Sequence, residues 1–349
     1  MLAARYWLPQ DISAHGSTID QLIGFLHYFM FVLFIGWGIF FVYCLLKFRA
    51  RGGATARYEA IKAKPSKYAE IVVICIEAAL LIGLSMPVWA SYRDEPPGND
   101  QNPLTVRVIA QQFAWNMHYP GPDGKFGKTK PGLVDETMNP IGLDESDPAA
   151  GDDIVSINNF YVPKGRDVIV RLSSKDVIHS FAVPMLRVKQ DAIPGMEIPL
   201  WFKAEKSNDE VRASLVKTVT LPSGEDPDEI EAFLTKHRND VFMADYAKGV
   251  AVKGGWVDED TVAALVQAGI GEVEVAPKHP VNIQCAQLCG LGHYRMLGQM
   301  QILEPEAFAA WEKESSAEDE FFDEDEFDDE DEDDEDDEDE DDEDEDDEE

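Results

Sequence analysis

The sequence predicts a two-helix membrane hairpin, then an all-β domain shaped as a small sandwich or barrel, then an acidic C-terminal tail. Three observations carry this prediction. Two apolar runs lie near the N-terminus, short stretches rich in β-branched and aromatic residues follow from Thr105, and acidic residues fill the end of the chain. The 349 residues are enough for two domains.

The first apolar run is uncharged between Asp20 and Lys47, and its residues 24–46 can cross about 30 Å of hydrocarbon as a helix. The second run, residues 71–90, carries one charge, Glu77. Helices are therefore expected over about 24–46 and 71–90, within a hairpin domain of residues 1–95. A buried core helix is the alternative for each run.

The loop between the two runs, residues 47–67, is strongly basic. Its one acidic residue is Glu59, and its cations are Lys47, Arg49, Arg51, Arg57, Lys62, Lys64 and Lys67. The positive-inside rule places such a loop in the cytoplasm. Both termini and the β domain are then expected outside, on the periplasmic face of a bacterial inner membrane.

The exported domain is expected to span residues 96–316, because turn residues separate its strand-like stretches throughout. A segment at about 205–280 interrupts this pattern. It contains helical periodicity after acidic N-caps at 227–240 and 258–269, and it carries no repeat or catalytic triad signature. It is interpreted as an insertion, either a tolerated surface loop or a docking element.

A soft ligand set lies near the end of this domain: Cys285, Cys289, His293 and Met296 occur within twelve residues. Thiolate, imidazole and thioether groups select copper or zinc over magnesium or calcium, and the thioether favours copper. A disulfide between the two cysteines and a structural zinc loop remain alternatives. A further candidate ligand is His179, at the end of an apolar strand, although a core histidine is the ordinary reading of such a position.

These segments together resemble subunit II of the haem-copper cytochrome c oxidases. The resemblance rests on the hairpin, on AQQFAWNMHYPG, SSKDVIHSFAVP and VKQDAIPGM, and on the CxxxCxxxHxxM loop, all in the family's order. It implies a cupredoxin-like sandwich with a dinuclear copper centre, CuA. That centre would accept electrons from cytochrome c, or another periplasmic donor, and pass them to haem in subunit I, where oxygen reduction is coupled to proton pumping.

The resemblance also implies roles for individual residues and partners. Cys285 and Cys289 would bridge the two coppers, His179 and Met296 would complete one, and His293 with the main-chain carbonyl of Gln287 would complete the other. The implied partners are subunit I, with its haem and copper-B, subunit III and the lipid bilayer. Nucleic acid is not expected, because the chain is not basic.

Departures from the family pattern concern the neighbouring functions. The family usually has Glu at position 287, where it helps to bind magnesium or manganese at the subunit I boundary, and a neutral amide is a weaker partner for a hard cation. Phe113 stands where many members have the Trp that receives the electron, and Trp115 matches a second family Trp. Glu70 matches a glutamate near the entry of a proton path. No residue of this subunit is expected to catalyse the oxygen chemistry.

Asp176 and Asp191 match acidic positions of the family near the copper surface. They are candidates for donor binding or for hydrogen bonding around the site.

Two other functions compete with the oxidase interpretation. A membrane-anchored copper chaperone can use CxxxC with a distant His but needs fewer ligands, and a structural zinc loop predicts a colourless protein.

The acidic tail accounts for most of the charge. Of residues 318–349, 29 are acidic, and the net charge of −38 falls to −9 without them. Residues 317–349 are expected to be disordered, since such a composition cannot bury a core. The tail is interpreted either as a solubilising appendage or as a device that gathers a basic cytochrome c.

Overall fold

The computed structural model describes residues 8–49, 52–53, 64–91, 93, 96–224 and 226–316. The basic loop 47–67 lies mostly outside the described residues, and the acidic tail 317–349 lies wholly outside them. Two of the described helices are long and apolar enough to cross a membrane. With the β-sandwich that follows, they confirm the predicted architecture.

The first helix, α1 (Gly16–Lys47), begins earlier than the predicted residue 24. Its extra turns are polar and are held by the β domain instead of by lipid. Arg187 of that domain donates from Nε and Nη2 to the two carboxylate oxygens of Asp20, at 2.6 and 2.9 Å. Ser13 Oγ accepts from the Gly16 amide at 2.9 Å and so satisfies a donor at the start of the helix. A prediction based on hydropathy alone therefore placed the start of this helix too late.

The segment before α1 joins the sandwich directly. Ile12 is buried in the main core, its amide donates to the Met185 carbonyl at 3.0 Å, and its carbonyl accepts from Glu205 at 2.7 Å. The Ala14 amide donates to Lys203 at 3.1 Å. This edge of the β domain is consequently fixed to the N-terminal end of the first membrane helix.

The second membrane segment also starts earlier than the predicted residue 71. It consists of α2 (Lys64–Leu80), a π-helical turn (Leu81–Ser85) and α3 (Met86–Ala90). Pro87 has no N–H to donate to the carbonyl of Gly83, four residues earlier. The π-helical turn, which is wider than an α-helical turn, contains Gly83.

The β domain is a sandwich of two five-stranded sheets. The first sheet has the order β3-β2-β1-β5-β8 and the second has the order β4-β13-β12-β6-β7. The strands of the first sheet are β1 (Leu104–Gln111), β2 (Ala114–Tyr119), β3 (Ile154–Ile157), β5 (Asp167–Ser174) and β8 (Ile198–Lys203). The strands of the second are β4 (Asn159–Pro163), β6 (His179–Val183), β7 (Val188–Ala192), β12 (Asn282–Cys285) and β13 (Leu297–Leu303).

Buried and more exposed residues alternate along β1 and β5. Because side chains alternate between the two faces of a strand, one face of the first sheet points into the core. The main core forms between the sheets, and its largest side chains include Trp115, Phe160, Phe181 and Phe202. The last helix, α7 (Pro305–Ser315), packs against this body through Trp311, whose ring stacks on Tyr161 with centroids 4.3 Å apart.

The interruption at about 205–280 contains a second, smaller core. Its two predicted helices are present as α5 (Pro227–His237) and α6 (Glu259–Gln267), after a short α4 (Asn208–Ser214). The sequence pattern did not predict the three-stranded sheet of the order β10-β11-β9. Its strands are β9 (Lys217–Thr220), β10 (Asp240–Phe242) and β11 (Glu272–Pro277).

Candidate metal centre

The two cysteines lie at one end of the sandwich, where the chain turns from β12 into β13. Cys285 is the last residue of β12 and pairs with Phe181 of β6, so the loop that follows it passes over the start of β6. His179 is the first residue of β6 and is fully buried. Antiparallel pairing of β12 with β6 therefore brings this histidine, 106 positions away in sequence, to the cysteine loop.

The potential ligand atoms converge on the two sulfurs. The Sγ atoms of Cys285 and Cys289 lie 3.8 Å apart. His179 Nδ1 lies 3.8 Å from Cys285 Sγ, and His293 Nδ1 lies 3.5 Å from Cys289 Sγ. His179, Cys285 and Cys289 form a group whose ligand atoms all lie within 4.8 Å of one another.

Two more donors complete the cluster. Met296 Sδ lies 3.7 Å from Cys289 Sγ, and the main-chain oxygen of Gln287 lies 3.1 Å from Cys285 Sγ. Met296 is buried, whereas the Gln287 side chain is exposed. The structure thus brings all six sequence-predicted ligands to one place, and Gln287 offers its carbonyl, not its amide.

The donor chemistry fits a soft metal. With metal–thiolate bonds of about 2.3 Å, one ion can contact two sulfurs that are less than about 4.6 Å apart. The observed separation of 3.8 Å meets that condition. Two thiols, two imidazoles and a thioether are ligands that copper accepts, and the thioether is a poor ligand for zinc.

The electrostatics of the thiols point the same way. Burial raises the pKa of the Cys289 thiol to about 11, and its hydrogen bond with Cys285 adds to the effect. Two adjacent thiolates repel each other in such a place unless a cation stabilises them. Coordination to a metal deprotonates a thiol outright, so a bound cation removes this cost.

Asp176 orients His179. Its carboxylate accepts from His179 Nε2 at 2.8 Å and from the amides of Val177 and Gln112 at 2.6 and 2.7 Å. Burial raises the pKa of Asp176, but these three hydrogen bonds outweigh it and leave the pKa below its ordinary value. The ionised carboxylate fixes a proton on Nε2, which leaves Nδ1 free to serve as a ligand.

Gln112 supports the loop from the other side, and no sequence pattern marks it as a functional residue. Its side-chain amide donates to the Cys289 carbonyl. It lies in the turn between β1 and β2, next to Phe113, whose ring packs against two loop glycines. A Cβ at Gly292 would lie 2.5 Å from that ring, and one at Gly290 would lie 2.6 Å from the Gln112 amide. Glycine at both positions permits this close approach.

The aromatic residues proposed for electron entry differ in exposure. Phe113 is half-buried beside the loop, and Trp115 is completely buried behind it. The Trp115 ring contacts the His179 ring edge-on, with centroids 6.3 Å apart. Glu70 lies near the start of α2, at the far end of the second membrane segment, so the structure does not bring it to the cluster.

Asp191 contributes to the support of β6. Its carboxylate accepts from Ser180 Oγ at 2.7 Å, and the Ser180 carbonyl accepts from the amide of Ala286, inside the cysteine loop, at 2.9 Å. The apex of the loop itself is apolar and exposed: Leu291 is 98% and Leu288 75% accessible. Such a patch is typical of an interaction surface.

Comparison with known proteins identifies this domain. Residues 104–208 match the family model described as the periplasmic domain of cytochrome c oxidase subunit II. Over these residues the chain is similar to cytochrome c oxidase subunit II. The matched region contains His179, Phe113 and Trp115 and ends before the cysteine loop.

Two relatives extend the subunit II match. An alternative cytochrome c oxidase subunit 2 of Bradyrhizobium diazoefficiens is 29% identical over 199 residues, which are 57% of this chain and 69% of that protein. Cytochrome c oxidase subunit 2 of Cereibacter sphaeroides is 29% identical over 150 residues, 41% of this chain and 48% of that protein. This chain therefore spans about half the length of the second relative.

A solved structure, the periplasmic domain of subunit II of cytochrome oxidase from Bradyrhizobium japonicum, aligns with 61% of this chain and 94% of its own, at 21% identity and a TM-score of 0.30. The likeness to subunit II and the two apolar helices support a membrane-anchored protein with a periplasmic domain, and they support membership of an oxidase complex.

Proposed function

We propose that this cluster is a dinuclear CuA centre and that the chain is the electron-transfer subunit of a proton-pumping cytochrome c oxidase. The observation that carries the proposal is the pair of cysteine sulfurs 3.8 Å apart, with one histidine nitrogen beside each. When bound, copper supplies one-electron redox chemistry. Oxygen reduction belongs to subunit I, so this chain contributes no catalytic residue to it.

In this proposal Cys285 and Cys289 would hold both ions. His179 and Met296 would complete the binding of one ion, and His293 and the Gln287 carbonyl would complete the binding of the other. This division is the one that the family resemblance implies. All four donors approach the sulfurs: His179 and Gln287 lie beside Cys285, and His293 and Met296 lie beside Cys289. The retained carbonyl keeps the copper role of position 287, and no magnesium site is proposed on its neutral amide.

The surrounding protein suits a centre that must change charge without moving. Asp176 holds the His179 ring, Gln112 holds the Cys289 carbonyl, and the Trp115 ring packs edge-on against the His179 ring. Ligands fixed by hydrogen bonds and by a packed core need little rearrangement between two charge states. Electron transfer then costs little reorganisation.

Electron entry is proposed at Phe113, with Trp115 behind it. Phe113 is the partly exposed aromatic ring that contacts the loop, so a donor docked on the apolar apex near Leu291 lies close to it. The donor is cytochrome c or another periplasmic electron carrier. Glu70 is proposed at the entry of a proton path into subunit I, and subunit III and the bilayer are the remaining partners.

The orientation follows from the same proposal. The chain crosses the bacterial inner membrane twice, with both termini and the copper domain on the periplasmic side. The contacts of Ile12 and Asp20 with the sandwich support this, because they hold the segment before α1 against the periplasmic domain.

Metal counting separates the competing functions. The full-length chain, purified with reduced thiols, is titrated with copper, and the bound metal is measured by atomic spectrometry. Two copper ions per chain are expected. Cys289→Ser should abolish this stoichiometry, whereas Cys75→Ser, in the second membrane helix, should leave it unchanged. A single copper per chain contradicts the proposal and favours a chaperone, and preferential binding of zinc favours the structural loop.

A further inference from the structure

An open cavity of about 1080 Å³ lies on the outer face of the first sheet, opposite the face that forms the main core. Strands β1 and β5 form its floor, and the segments 126–136 and 195–197 form most of its walls. Ligand-binding cavities in proteins commonly have volumes of about 300–1000 Å³. This cavity is therefore large enough for a small organic molecule.

Two arginines lie side by side on the cavity floor. Arg107 of β1 is the register partner of Arg171 of the parallel strand β5. Along both strands the neighbouring residues are buried in the core, so the two arginine side chains point to the opposite face, toward the cavity. Like charges opposite each other on neighbouring strands cost stability unless an anion balances them.

The two arginines share one carboxylate. Glu197 Oε1 lies 3.5 Å from Arg171 Nη1, and both side chains are about half exposed. Among the residues that the structure describes, Arg107 has no ion pair and no hydrogen-bond acceptor. Burial lowers the pKa of Arg107; Glu197 and Asp153 oppose this effect, and the charge of Arg171 adds to it. Asp153 itself is buried in a hydrogen bond with His118, so the N–H donors of the half-buried Arg107 remain for a ligand.

The other cations of the cavity have partners of their own. Two lysines form ion pairs at 3.4 and 2.5 Å, namely Lys128 with Asp147 and Lys130 with Asp144. Lys175 donates to the Pro140 carbonyl at 2.8 Å, and the nearby carboxylates of Glu136 and Asp176 act on its charge. Two arginines and one glutamate therefore leave a single net positive charge at the cavity floor.

The surroundings of Arg107 are apolar. The Phe126 ring packs on its guanidinium, with Cζ 4.2 Å from the ring centroid, and Ile109 and Ile141 line the same cavity. We propose that the cavity binds a small organic carboxylate: its anionic group pairs with Arg107 and Arg171, and its apolar part contacts this wall. The planar fork of an arginine matches a carboxylate with two parallel hydrogen bonds. The apolar wall favours an organic anion over an inorganic one. The two arginines are not part of the copper site.

The test uses the full-length chain in a non-ionic detergent, with benzoate as the probe. Phenylglyoxal modifies arginine side chains, and mass spectrometry of the peptides measures the rate of modification at each arginine. Benzoate should slow the modification of Arg107 and Arg171 by about 10-fold at ten times its dissociation constant. The exposed Arg238, in the 205–280 segment, should react at an unchanged rate. Absence of saturable protection at Arg107 overturns the proposal.

Three further probes test the chemistry of the ligand. Benzamide has the ring without the charge, acetate has the carboxylate without an apolar body, and inorganic phosphate is an anion without either. Each should protect Arg107 only at concentrations well above those of benzoate. Equal protection by benzamide contradicts the role of the two charges, and equal protection by acetate contradicts the role of the apolar wall. Equal protection by phosphate identifies a simple anion site instead.

Variants test the assignment to these residues, with protection of Arg171 as the measure of benzoate affinity. Arg107→Gln should weaken benzoate binding by about 10-fold, as expected for the loss of a charged hydrogen-bond donor. Arg238→Gln is the matched control and should bind as the wild type. Unchanged binding by Arg107→Gln overturns the proposal.

Glu197→Gln gives a prediction of the opposite sign. Because Glu197 competes with the ligand for Arg171, its loss should tighten benzoate binding by about 3-fold, as expected for removal of an exposed ion pair. Unchanged or weaker binding by this variant contradicts the proposal. If Arg107→Gln fails to fold, this variant and the probes on the wild type still decide it.

Discussion

Asp176 accepts a hydrogen bond from Nε2 of His179 at 2.8 Å, and this contact leaves Nδ1 of the same ring 3.8 Å from the sulfur of Cys285. The carboxylate thus determines which nitrogen of the ring faces the cysteines. Carboxylate partners of this kind hold metal-binding histidines in place and raise their basicity. The pair supports the proposal that His179 is a metal ligand.

The first prediction concerns this pair. Asp176→Asn should lower copper affinity by at least about 10-fold, because a neutral amide no longer fixes the proton on Nε2. Competition with a chelator measures the affinity. Asp191→Asn is the matched control, since Asp191 bonds Ser180 and no ligand. Equal affinities of the two variants would show that Asp176 does not orient the ring.

The second prediction concerns the contact between Gly292 and Phe113. Gly292→Ala places a methyl group 2.5 Å from the Phe113 ring. It should lower the free energy of unfolding of the copper-loaded β domain by about 1–3 kcal/mol, the usual cost of overpacking. Phe113→Leu should relieve part of this cost in the double variant. Thermal unfolding of all four proteins gives the coupling energy. Strict additivity would mean that the loop and the ring do not press on each other.

The third prediction concerns electron entry. Phe113→Leu should slow reduction of the copper centre by its donor in stopped-flow measurements while leaving the copper spectrum intact. Trp256→Leu, which removes a partly exposed aromatic ring in the 205–280 segment, is the control. An unchanged rate for Phe113→Leu would exclude this ring from the route.

The fourth prediction concerns the buried hydroxyl of Tyr119. It donates to the Tyr161 carbonyl at 3.0 Å and accepts from the Tyr161 amide at 2.8 Å. Tyr119→Phe leaves both groups unpaired and should lower the free energy of unfolding by about 1–3 kcal/mol. Tyr161→Phe keeps its ring stacked on Trp311 and serves as the control in urea denaturation. Equal stability of the two variants would contradict the account.

The same hydroxyl gives a pH dependence. Burial raises the pKa of Tyr119 well above its usual value, despite the hydrogen bond to Tyr161. A pKa that is higher in the folded than in the unfolded state contributes stability that is complete below the unfolded pKa of about 10 and is lost as pH rises above it. The wild type should therefore lose more stability than Tyr119→Phe between neutral pH and pH above about 10.

The fifth prediction concerns the acidic tail and is based on the sequence alone. Truncation after residue 317 should weaken the salt dependence of turnover with a basic cytochrome c, because charges are screened over about 10 Å at 0.1 M salt. An unchanged salt dependence would leave the tail with a solubilising role.

The parts of the fold that follow from local pattern were predictable. Apolar runs of membrane length marked both helices, and the spacing of Cys285, Cys289, His293 and Met296 marked the loop. The early start of α1 was not predictable, because Asp20 is held by Arg187, a residue 167 positions away. The small sheet of the 205–280 segment was not predictable for a similar reason. Its strands are short, and they become stable only by pairing across intervening helices.

The residues of the candidate metal site also differ in whether the sequence could predict them. His179 could be assigned only through the family resemblance, since the residues alone favoured a core histidine. Its place beside Cys285 depends on the pairing of β6 with β12. Gln112 could not be assigned at all, because its contact with Cys289 forms when the turn between β1 and β2 meets the loop. Long-range pairing of this kind leaves no local pattern.

The central claim is that the two cysteines share two copper ions. Its most direct test is the electron paramagnetic resonance spectrum of the copper-loaded, full-length chain. An unpaired electron spread equally over two copper nuclei is expected, visible in the hyperfine pattern and accompanied by a purple colour. A hyperfine pattern from a single copper nucleus, or a colourless protein without a signal, would contradict the claim.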